Sequence, residues 1–89
     1  GEVIYIDRFG NLITNLRVFG EIDGEVKFKG VTINKISKTY SDVGVSEVVA
    51  LVDSSELIEI GIRNGSAQEF FKAGYGDDVL VQVKKINIR

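Results

Sequence analysis

The stretch DRFGNLITN, residues 7–15, stands between two apolar runs and joins the first two predicted strands. A tight hairpin needs only about two turn residues, commonly Asn-Gly or Asp-Gly. Here the order is Gly10-Asn11, and polar side chains continue into the following strand as Thr14 and Asn15. The segment therefore holds more polar chemistry than a turn requires.

Strand patterns lie on both sides of this loop. GEVIYID alternates with period two and places Val3 and Tyr5 on one face. Asp23-Gly24 is a dipeptide suited to a type I′ turn. Further short strands are predicted within 12–18, 26–29, 31–40, 47–54, 57–62 and 77–89. Short strands separated by polar turns predict an all-β fold, either a small antiparallel β-barrel or a two-sheet sandwich.

One short helix is predicted near residues 66–73. Ser66 with Glu69 three positions later forms a capping box, in which each side chain reaches the free backbone N–H of the other residue. Lys72 lies near the negative end of this helix, and Gly74 can end it in a left-handed conformation.

Composition narrows the classes of function. The 89 residues predict a single domain, 1–89, with 44% hydrophobic residues and a net charge of −2. This balance does not attract a polyanion over the whole surface. The chain has no Cys and no His, so disulfides and metal sites of thiolate or imidazole are excluded. We expect no metal, no membrane span and a cytoplasmic protein.

Three weaker motifs have ordinary interpretations. Asp77-Asp78 is expected to be a solvated turn and not a cation site. The glycosylation pattern at 64–66 is interpreted as a chance match that includes the helix cap. A small basic tail is expected to be a solvated strand edge, formed by Lys84, Lys85 and Arg89.

Two widely separated segments together resemble one enzyme family. YIDRFGNLITN, residues 5–15, resembles the start of the C-terminal domain of the S-adenosyl-L-methionine (SAM) hydroxide adenosyltransferase family, the relatives of the fluorinases and chlorinases. TYSDV at 39–43 and ALVDSSELIEIGIRNGSA at 50–67 are similar to later parts of that domain, in the same order. The resemblance covers essentially the whole chain, and its first motif is long and specific.

This resemblance implies one domain of a two-domain enzyme whose N-terminal domain is absent from this sequence. Such enzymes convert SAM and water to adenosine and L-methionine, with SAM as the substrate and no separate cofactor. The resemblance implies that this domain is a small β-barrel that holds the adenine. An aspartate of the N-terminal domain would handle the water, and the site would form between neighbouring subunits of a homotrimer. The 89-residue segment alone is then expected to have no catalytic residue and no activity.

The resemblance also implies roles at the adenine. Asn11 is expected to bind the adenine edge, because an amide offers an acceptor and two donors together. Phe9 and Tyr40 resemble the aromatic walls that pack on the ring. Gly10 would allow the backbone to turn closely enough for both flanking side chains to face one pocket.

Three further positions are implied as substrate-binding. Asp7 resembles a residue that orders this loop or the polar end of the substrate. Ser54 matches a serine near the amino-acid portion, and the backbone carbonyl of Asn64 lies where the adenine amine is accepted. Thr14 and Asn15 are assigned a structural role, as hydrogen-bonding partners of the loop backbone.

Each of these residues also has a purely structural interpretation. Asn11 could hold a left-handed turn, and the two aromatic residues could belong to the core. Asp7 and Arg8 could form a surface ion pair of little consequence. Ser54 could simply be part of a turn.

Departures from the halide-using members favour water as the nucleophile. The loop is the compact DRFGN, and Ser55 and Ile62 occupy places where fluorinase-like members tend to carry arginines. Two other functions stay open. One is a single-stranded nucleic-acid-binding barrel of the OB type, and the other is a structural oligomerisation domain. The OB-type barrel would use as stacking platforms Phe9, Phe28 and Tyr40.

Overall fold

The computed structural model describes residues 1–20, 22–40 and 43–85, with only the backbone of Lys85. Within these ranges the chain forms strands and one helix in the order β1 (Val3–Ile6), β2 (Leu12–Arg17), β3 (Asp23–Phe28), β4 (Val31–Ile33), β5 (Ile36–Ser37), β6 (Val48–Val52), β7 (Leu57–Ile62), α1 (Ala67–Phe71) and β8 (Leu80–Lys85). The predicted all-β fold with one short helix is confirmed.

The strands form two sheets. The larger sheet has five strands in the order β1-β2-β7-β6-β5, and the smaller has three in the order β4-β3-β8. The strand pairs are antiparallel except β5 with β6, where Ile36 lies opposite Ala50 in a parallel register. This is an exception to the expected antiparallel pattern, and parallel neighbours require a longer connection than a hairpin, here the residues between β5 and β6.

The core lies where the two sheets and the helix meet. Leu12, Ile58 and Ile60 of the larger sheet are fully buried. Phe28 of the smaller sheet meets Phe71 of α1 edge to face, with ring centroids 5.0 Å apart. Phe28 is only 1% exposed, so it is not available as a stacking platform in the alternative of an OB-type nucleic-acid-binding barrel. Its ring is packed within the hydrophobic core.

The turn predicted at Asp23-Gly24 is not a turn, because both residues lie in β3. The register shifts between them, and a Cβ on Gly24 would lie 2.8 Å from the Gln82 carbonyl oxygen of β8. This glycine therefore permits a close backbone approach within a sheet. The two-residue hairpin turn is Lys29-Gly30, where both φ angles are positive, +47° and +80°, as a type I′ turn requires.

A register shift also breaks the alternation predicted for β1. Val3 is buried, but Tyr5 is 57% exposed, although strict alternation would put both on one face. The pairing of β1 with β2 shifts between these two residues, which offsets the side-chain alternation by one position.

The helix begins as predicted and ends earlier. The Ser66 hydroxyl accepts a hydrogen bond from the Glu69 backbone N–H at 3.2 Å, which is the N-terminal half of the expected capping box. The left-handed residue at the other end is Lys72, with φ +50°, and not Gly74. Ala73 N–H then donates to the Gln68 carbonyl at 3.0 Å, so the reversal is completed before Gly74.

Several sequence features fall partly outside the described ranges. Ser41 and Asp42 of the TYSDV motif and Arg89 of the basic tail lie there, as does the side chain of Lys85. Lys84 is described, and its ammonium donates to the Asn34 carbonyl at 2.8 Å. Among the described residues, no helix has the length and apolar character needed to cross a bilayer.

Candidate functional site

The loop between β1 and β2 is organised by the carboxylate of Asp7. Its Oδ1 accepts the backbone N–H groups of Phe9 and Asn11 at 2.9 and 3.0 Å. Its Oδ2 accepts the side-chain amide of Asn11 at 3.0 Å. The main chain of the same loop is closed by the Gly10 N–H, which donates to the Asp7 carbonyl at 3.0 Å. Asp7 thus orders the loop through these hydrogen bonds. This role differs from the alternative of a surface ion pair with Arg8.

Gly10 takes the left-handed conformation in this loop, with φ +82°. Asn11 does not, so the interpretation of Asn11 as the left-handed residue is wrong. A Cβ on Gly10 would collide with the hydroxyl of Ser66, the helix cap. The Gly10 carbonyl also accepts the Gln68 N–H at 2.9 Å. The loop is therefore packed directly on the start of α1.

Phe9 projects from the tip of the loop. Its side chain is 64% exposed, so it is not a core aromatic. The guanidinium of Arg8 lies 5.0 Å from its ring centroid, within the range of a cation–π contact. An exposed phenyl ring next to a rigid polar loop is available to pack on a partner surface.

Tyr40 lies on the connection between β5 and β6 and is half-buried. Its hydroxyl donates to Oε2 of Glu59 at 2.6 Å. Burial raises the pKa of Tyr40 far above its ordinary value, and the hydrogen bond to Glu59 raises that pKa further. Burial likewise raises the pKa of Glu59, with the hydrogen bond from Tyr40 acting in the opposite direction and Asp53 and Asp7 adding to the rise.

Gly61 of β7 lies between Tyr40 and Asn11. A Cβ at this position would collide with the Tyr40 hydroxyl and would lie 2.7 Å from the Tyr40 Cε1 and 2.9 Å from Oδ1 of Asn11. Any larger residue would displace both side chains. Sequence reasoning missed this role, although a glycine inside the strand LIEIGI is a signal of close approach.

These elements border one open cavity of about 580 Å³, lined by Phe9, Asn11, Tyr40, Ile62, Arg63, Asn64 and Gly65. The volume lies in the range of about 300–1,000 Å³ that is usual for small-molecule sites. Four residues implied by the sequence motifs, from three separate segments, are therefore brought together. Three residues were not anticipated as lining: Ile62, Arg63 and Gly65. Arg63 is held by its Nη1, which donates to the Val43 carbonyl at 2.7 Å.

Asn64 contributes a tight turn at the edge of this cavity. It has φ +60°, and the turn is closed by the Gly65 N–H, which donates to the Ile62 carbonyl at 3.0 Å. Its side chain is exposed. The turn follows directly after β7, so the end of that strand forms one wall of the cavity.

Ser54 is the implied site residue that the fold places apart from the others. It is exposed and lies in the turn before β7, where Asp53 Oδ1 accepts the Ser55 and Leu57 N–H groups at 2.8 and 3.1 Å. The cavity lies after the other end of β7, and the strand separates the two ends by roughly 17 Å. Ser54 does not line the cavity.

Thr14 and Asn15 are structural, but they do not bind the loop backbone as expected. The buried Thr14 hydroxyl donates to the Ile58 carbonyl at 2.8 Å, across the β2–β7 pair. Asn15 Oδ1 accepts the Glu2 N–H at 2.8 Å and so ties the chain start to β2. Both residues hold strands together beside the site.

Asp77 is more structured than a solvated turn. Its Oδ2 accepts the Gly74 N–H at 2.7 Å and lies 3.3 Å from the Lys29 ammonium. The Gly74 hydrogen bond and the Lys29 charge lower the pKa of this carboxyl. Asp77 therefore pins the segment after the helix to the β3–β4 turn.

Comparison with known proteins agrees with this architecture. The family model of the SAM hydroxide adenosyltransferase C-terminal domain matches residues 1–80. The (R)-S-adenosyl-L-methionine hydrolase of Thermus thermophilus is 36% identical over 69 residues, which cover 78% of this chain and 26% of that protein. The chain thus spans about a quarter of the length of this relative.

Solved structures show the same fold. A conserved hypothetical protein from Thermus thermophilus has a TM-score of 0.82 at 33% identity, over 92% of this chain and 34% of that one. An uncharacterized conserved protein from Thermotoga maritima has a TM-score of 0.73 at 25% identity, over 91% and 34% of the respective chains. The match to the family model over most of the chain shows that this protein belongs to the SAM hydroxide adenosyltransferase C-terminal domain family.

Proposed function

We propose that this chain is the adenosine-binding domain of an enzyme that hydrolyses SAM to adenosine and L-methionine. The observation that carries the proposal is the convergence of an exposed phenyl ring, a fixed amide and a half-buried tyrosine on one cavity, at Phe9, Asn11 and Tyr40. A purine site needs apolar surface for the ring face and a few fixed polar groups for its edge. The family membership and the Thermus thermophilus relative, a SAM hydrolase by name, support the choice of ligand.

The hydrogen bond between Asn11 and Asp7 supports the edge contact. A carboxylate only accepts hydrogen bonds, so the amide nitrogen of Asn11 must face Asp7. That contact uses one of the two amide hydrogens. The second hydrogen and Oδ1 remain as an adjacent donor and acceptor, since no hydrogen bond among the described residues uses them. One donor beside one acceptor is the pattern that complements adenine.

The hydrolytic step is assigned to groups outside these 89 residues. The chain has no histidine or cysteine. The acids that contact the lining residues Asn11 and Tyr40 are Asp7 and Glu59, and both are held by hydrogen bonds to them. The chain also spans only about a quarter of its hydrolase relative. We infer that the site is completed by an N-terminal domain of a neighbouring subunit in a homotrimer, with water as the nucleophile.

The structure disfavours the nucleic-acid alternative. Phe28 is buried in the core, which leaves only Phe9 and Tyr40 of the three stacking platforms. Both residues line the same cavity and do not form a row of stacking surfaces along a groove. A chain with net charge −2 also lacks the overall attraction for a polyanion.

The test of binding is a titration of the 89-residue chain with adenosine, followed by backbone and side-chain NMR shifts. We expect shifts centred on Phe9, Asn11 and Tyr40 and a dissociation constant near or above millimolar. This chain is proposed to form only part of the site. We expect the amide contact to contribute about 1–3 kcal/mol of binding free energy and ring stacking a similar amount. Association costs about 4 kcal/mol or more. Cytidine is the matched control ligand. Shifts confined to the region of Lys84 would contradict the site.

The test of activity uses the full-length polypeptide that contains these residues. We expect it to release adenosine and methionine from SAM, while the 89-residue chain releases neither. Asn11→Ala in the full-length protein should mainly raise KM, because its adenine contact is equal in the ground and transition states. A lower kcat with an unchanged KM would contradict this role for Asn11.

A further inference from the structure

We propose that Glu59 and Gly61 are positioning residues for Tyr40, and that together they set the wall against which a flat heteroaromatic ring packs. The inference rests on the proposed function for the identity of the ring, but the placement of Tyr40 can be tested without any ligand. Both residues belong to β7 and are two positions apart. Residues two apart on a strand share one face, so they meet the same tyrosine.

The need for positioning follows from where Tyr40 lies. It stands on the connection between β5 and β6 and not in a strand. Glu59, in contrast, belongs to a strand that is paired on both sides: it lies opposite Ile13 of β2 and opposite Leu51 of β6. A side chain on a central strand is a fixed anchor, and the 2.6 Å hydrogen bond transmits that position to the tyrosine hydroxyl.

Gly61 supplies the space that this arrangement requires. A methyl group there would meet the Tyr40 hydroxyl and Cε1 as well as Oδ1 of Asn11. All three of these nearest atoms belong to side chains. Enlargement of Gly61 should therefore move Tyr40 and Asn11 out of place while the strand itself stays intact.

The hydrogen bond also decides what Tyr40 can offer to a ligand. Its proton is directed to Glu59, so the residue presents a ring surface to the cavity and does not donate a hydrogen bond there. The hydrogen-bonding contact to the ligand edge is assigned to Asn11, whose Oδ1 also lies next to Gly61. The site would therefore select its ligand by ring shape at Tyr40 and by hydrogen-bond pattern at Asn11.

The first measurement concerns the free protein. In the 89-residue chain we expect nuclear Overhauser contacts between the Tyr40 ring protons and the Gly61 Hα protons. Glu59→Gln keeps an acceptor oxygen for the hydroxyl and should preserve these contacts. Glu59→Leu and Tyr40→Phe remove the hydrogen bond and should weaken them, and Gly61→Ala should shift the ring resonances of Tyr40.

Two matched controls separate positioning from general damage. Gly74→Ala adds the same methyl group where nothing lies within 4 Å. Glu25→Leu alters a partly buried strand glutamate of the other sheet, whose contacts are with Lys27 and Lys84. Neither should change the Tyr40 resonances.

The second measurement is adenosine affinity by the same titration. Loss of one hydrogen bond predicts about fivefold weaker binding for Tyr40→Phe and Glu59→Leu, whereas Glu59→Gln and the two controls should match the parent chain. Gly61→Ala, which displaces two contact residues, should reduce affinity about tenfold or more.

The outcomes distinguish the two claims. If the parent chain binds no adenosine but the variants displace the Tyr40 ring as described, the proposed ligand is wrong and the positioning holds. If Glu59→Leu, Tyr40→Phe and Gly61→Ala all leave the ring contacts unchanged, the positioning is wrong whatever the ligand. Should Glu59→Leu fail to fold, Tyr40→Phe and Gly61→Ala decide the question.

Discussion

Asp7 and Asn11 form a closed pair in which both the backbone N–H and the side-chain amide of Asn11 are held by one carboxylate, each at 3.0 Å. The pair fixes the amide orientation before any ligand arrives. A group that is fixed in advance does not lose rotamer freedom on binding, which improves its contribution to affinity. The same arrangement of backbone contacts recurs at Asp53, which accepts the N–H groups of Ser55 and Leu57.

The first prediction concerns the charge of Asp7. Asp7→Asn keeps an oxygen for the two backbone N–H groups, but its new amide would face the amide of Asn11. Asn11 must then reverse or leave, and we expect about tenfold weaker adenosine binding with the fold retained. Asp53→Asn is the matched control, because Asp53 makes the same backbone contacts in the turn remote from the cavity. Equal losses for both variants would show that the Asn11 amide is not the cause.

The second prediction concerns the contact between Gly10 and the helix cap. Gly10→Ala combines a strained φ of +82° with a collision at Ser66, so we expect the free energy of unfolding to fall by about 1–3 kcal/mol. Urea denaturation measures the loss. Ser66→Gly relieves the collision and leaves the strain, so part of the loss should be recovered when Gly10→Ala is made in that background. Full additivity of the two changes would contradict the contact.

The third prediction concerns pH. Burial raises the pKa of Glu59, so the folded state holds this proton more tightly than the unfolded state. Its contribution favours folding below the ordinary glutamate pKa and is lost as pH rises through the higher folded value. The difference in unfolding free energy between the parent chain and Glu59→Gln should therefore turn against the parent as pH rises from about 4 toward neutrality.

Asp77 provides the opposite case within the same chain. The Gly74 N–H and Lys29 lower its pKa, so its contribution is present above the ordinary aspartate pKa and is lost as pH falls. The parent should gain over Asp77→Asn as pH rises. Urea midpoints of the three proteins across the acid range measure both trends, and trends of the same sign would show that one of the two environments is misassigned.

The fourth prediction concerns Ser54. Because it is exposed at the far end of β7, Ser54→Ala should leave both the stability and the adenosine affinity of the 89-residue chain unchanged. In the full-length protein the implied contact with the amino-acid portion of SAM predicts a higher KM for the same variant. A clear loss of adenosine affinity in the 89-residue chain would be incompatible with this placement.

Much of the architecture could be predicted from local pattern. Period-two alternation identified most strands, the Ser66–Glu69 spacing located the helix start, and the loop at 7–11 was recognisable as more than a turn. Each of these features depends on residues within a few positions of one another, so the local sequence is sufficient to predict it. The motif residues that carry the family resemblance can likewise be identified without knowing which residues are close in space.

The tertiary structure decided what local pattern could not. Asp23-Gly24 has good turn chemistry, yet pairing with β8 draws it into a strand and leaves the turn to Lys29-Gly30. Tyr40 and Glu59 are 19 positions apart, and their hydrogen bond exists only because β7 lies beside the connection from β5. Gly61 matters because the side chains of Tyr40 and Asn11 lie against it, and the periodicity of the sequence does not reveal that contact. Such contacts depend on how strands are ordered across a sheet, and that order is set by the packing of the whole chain.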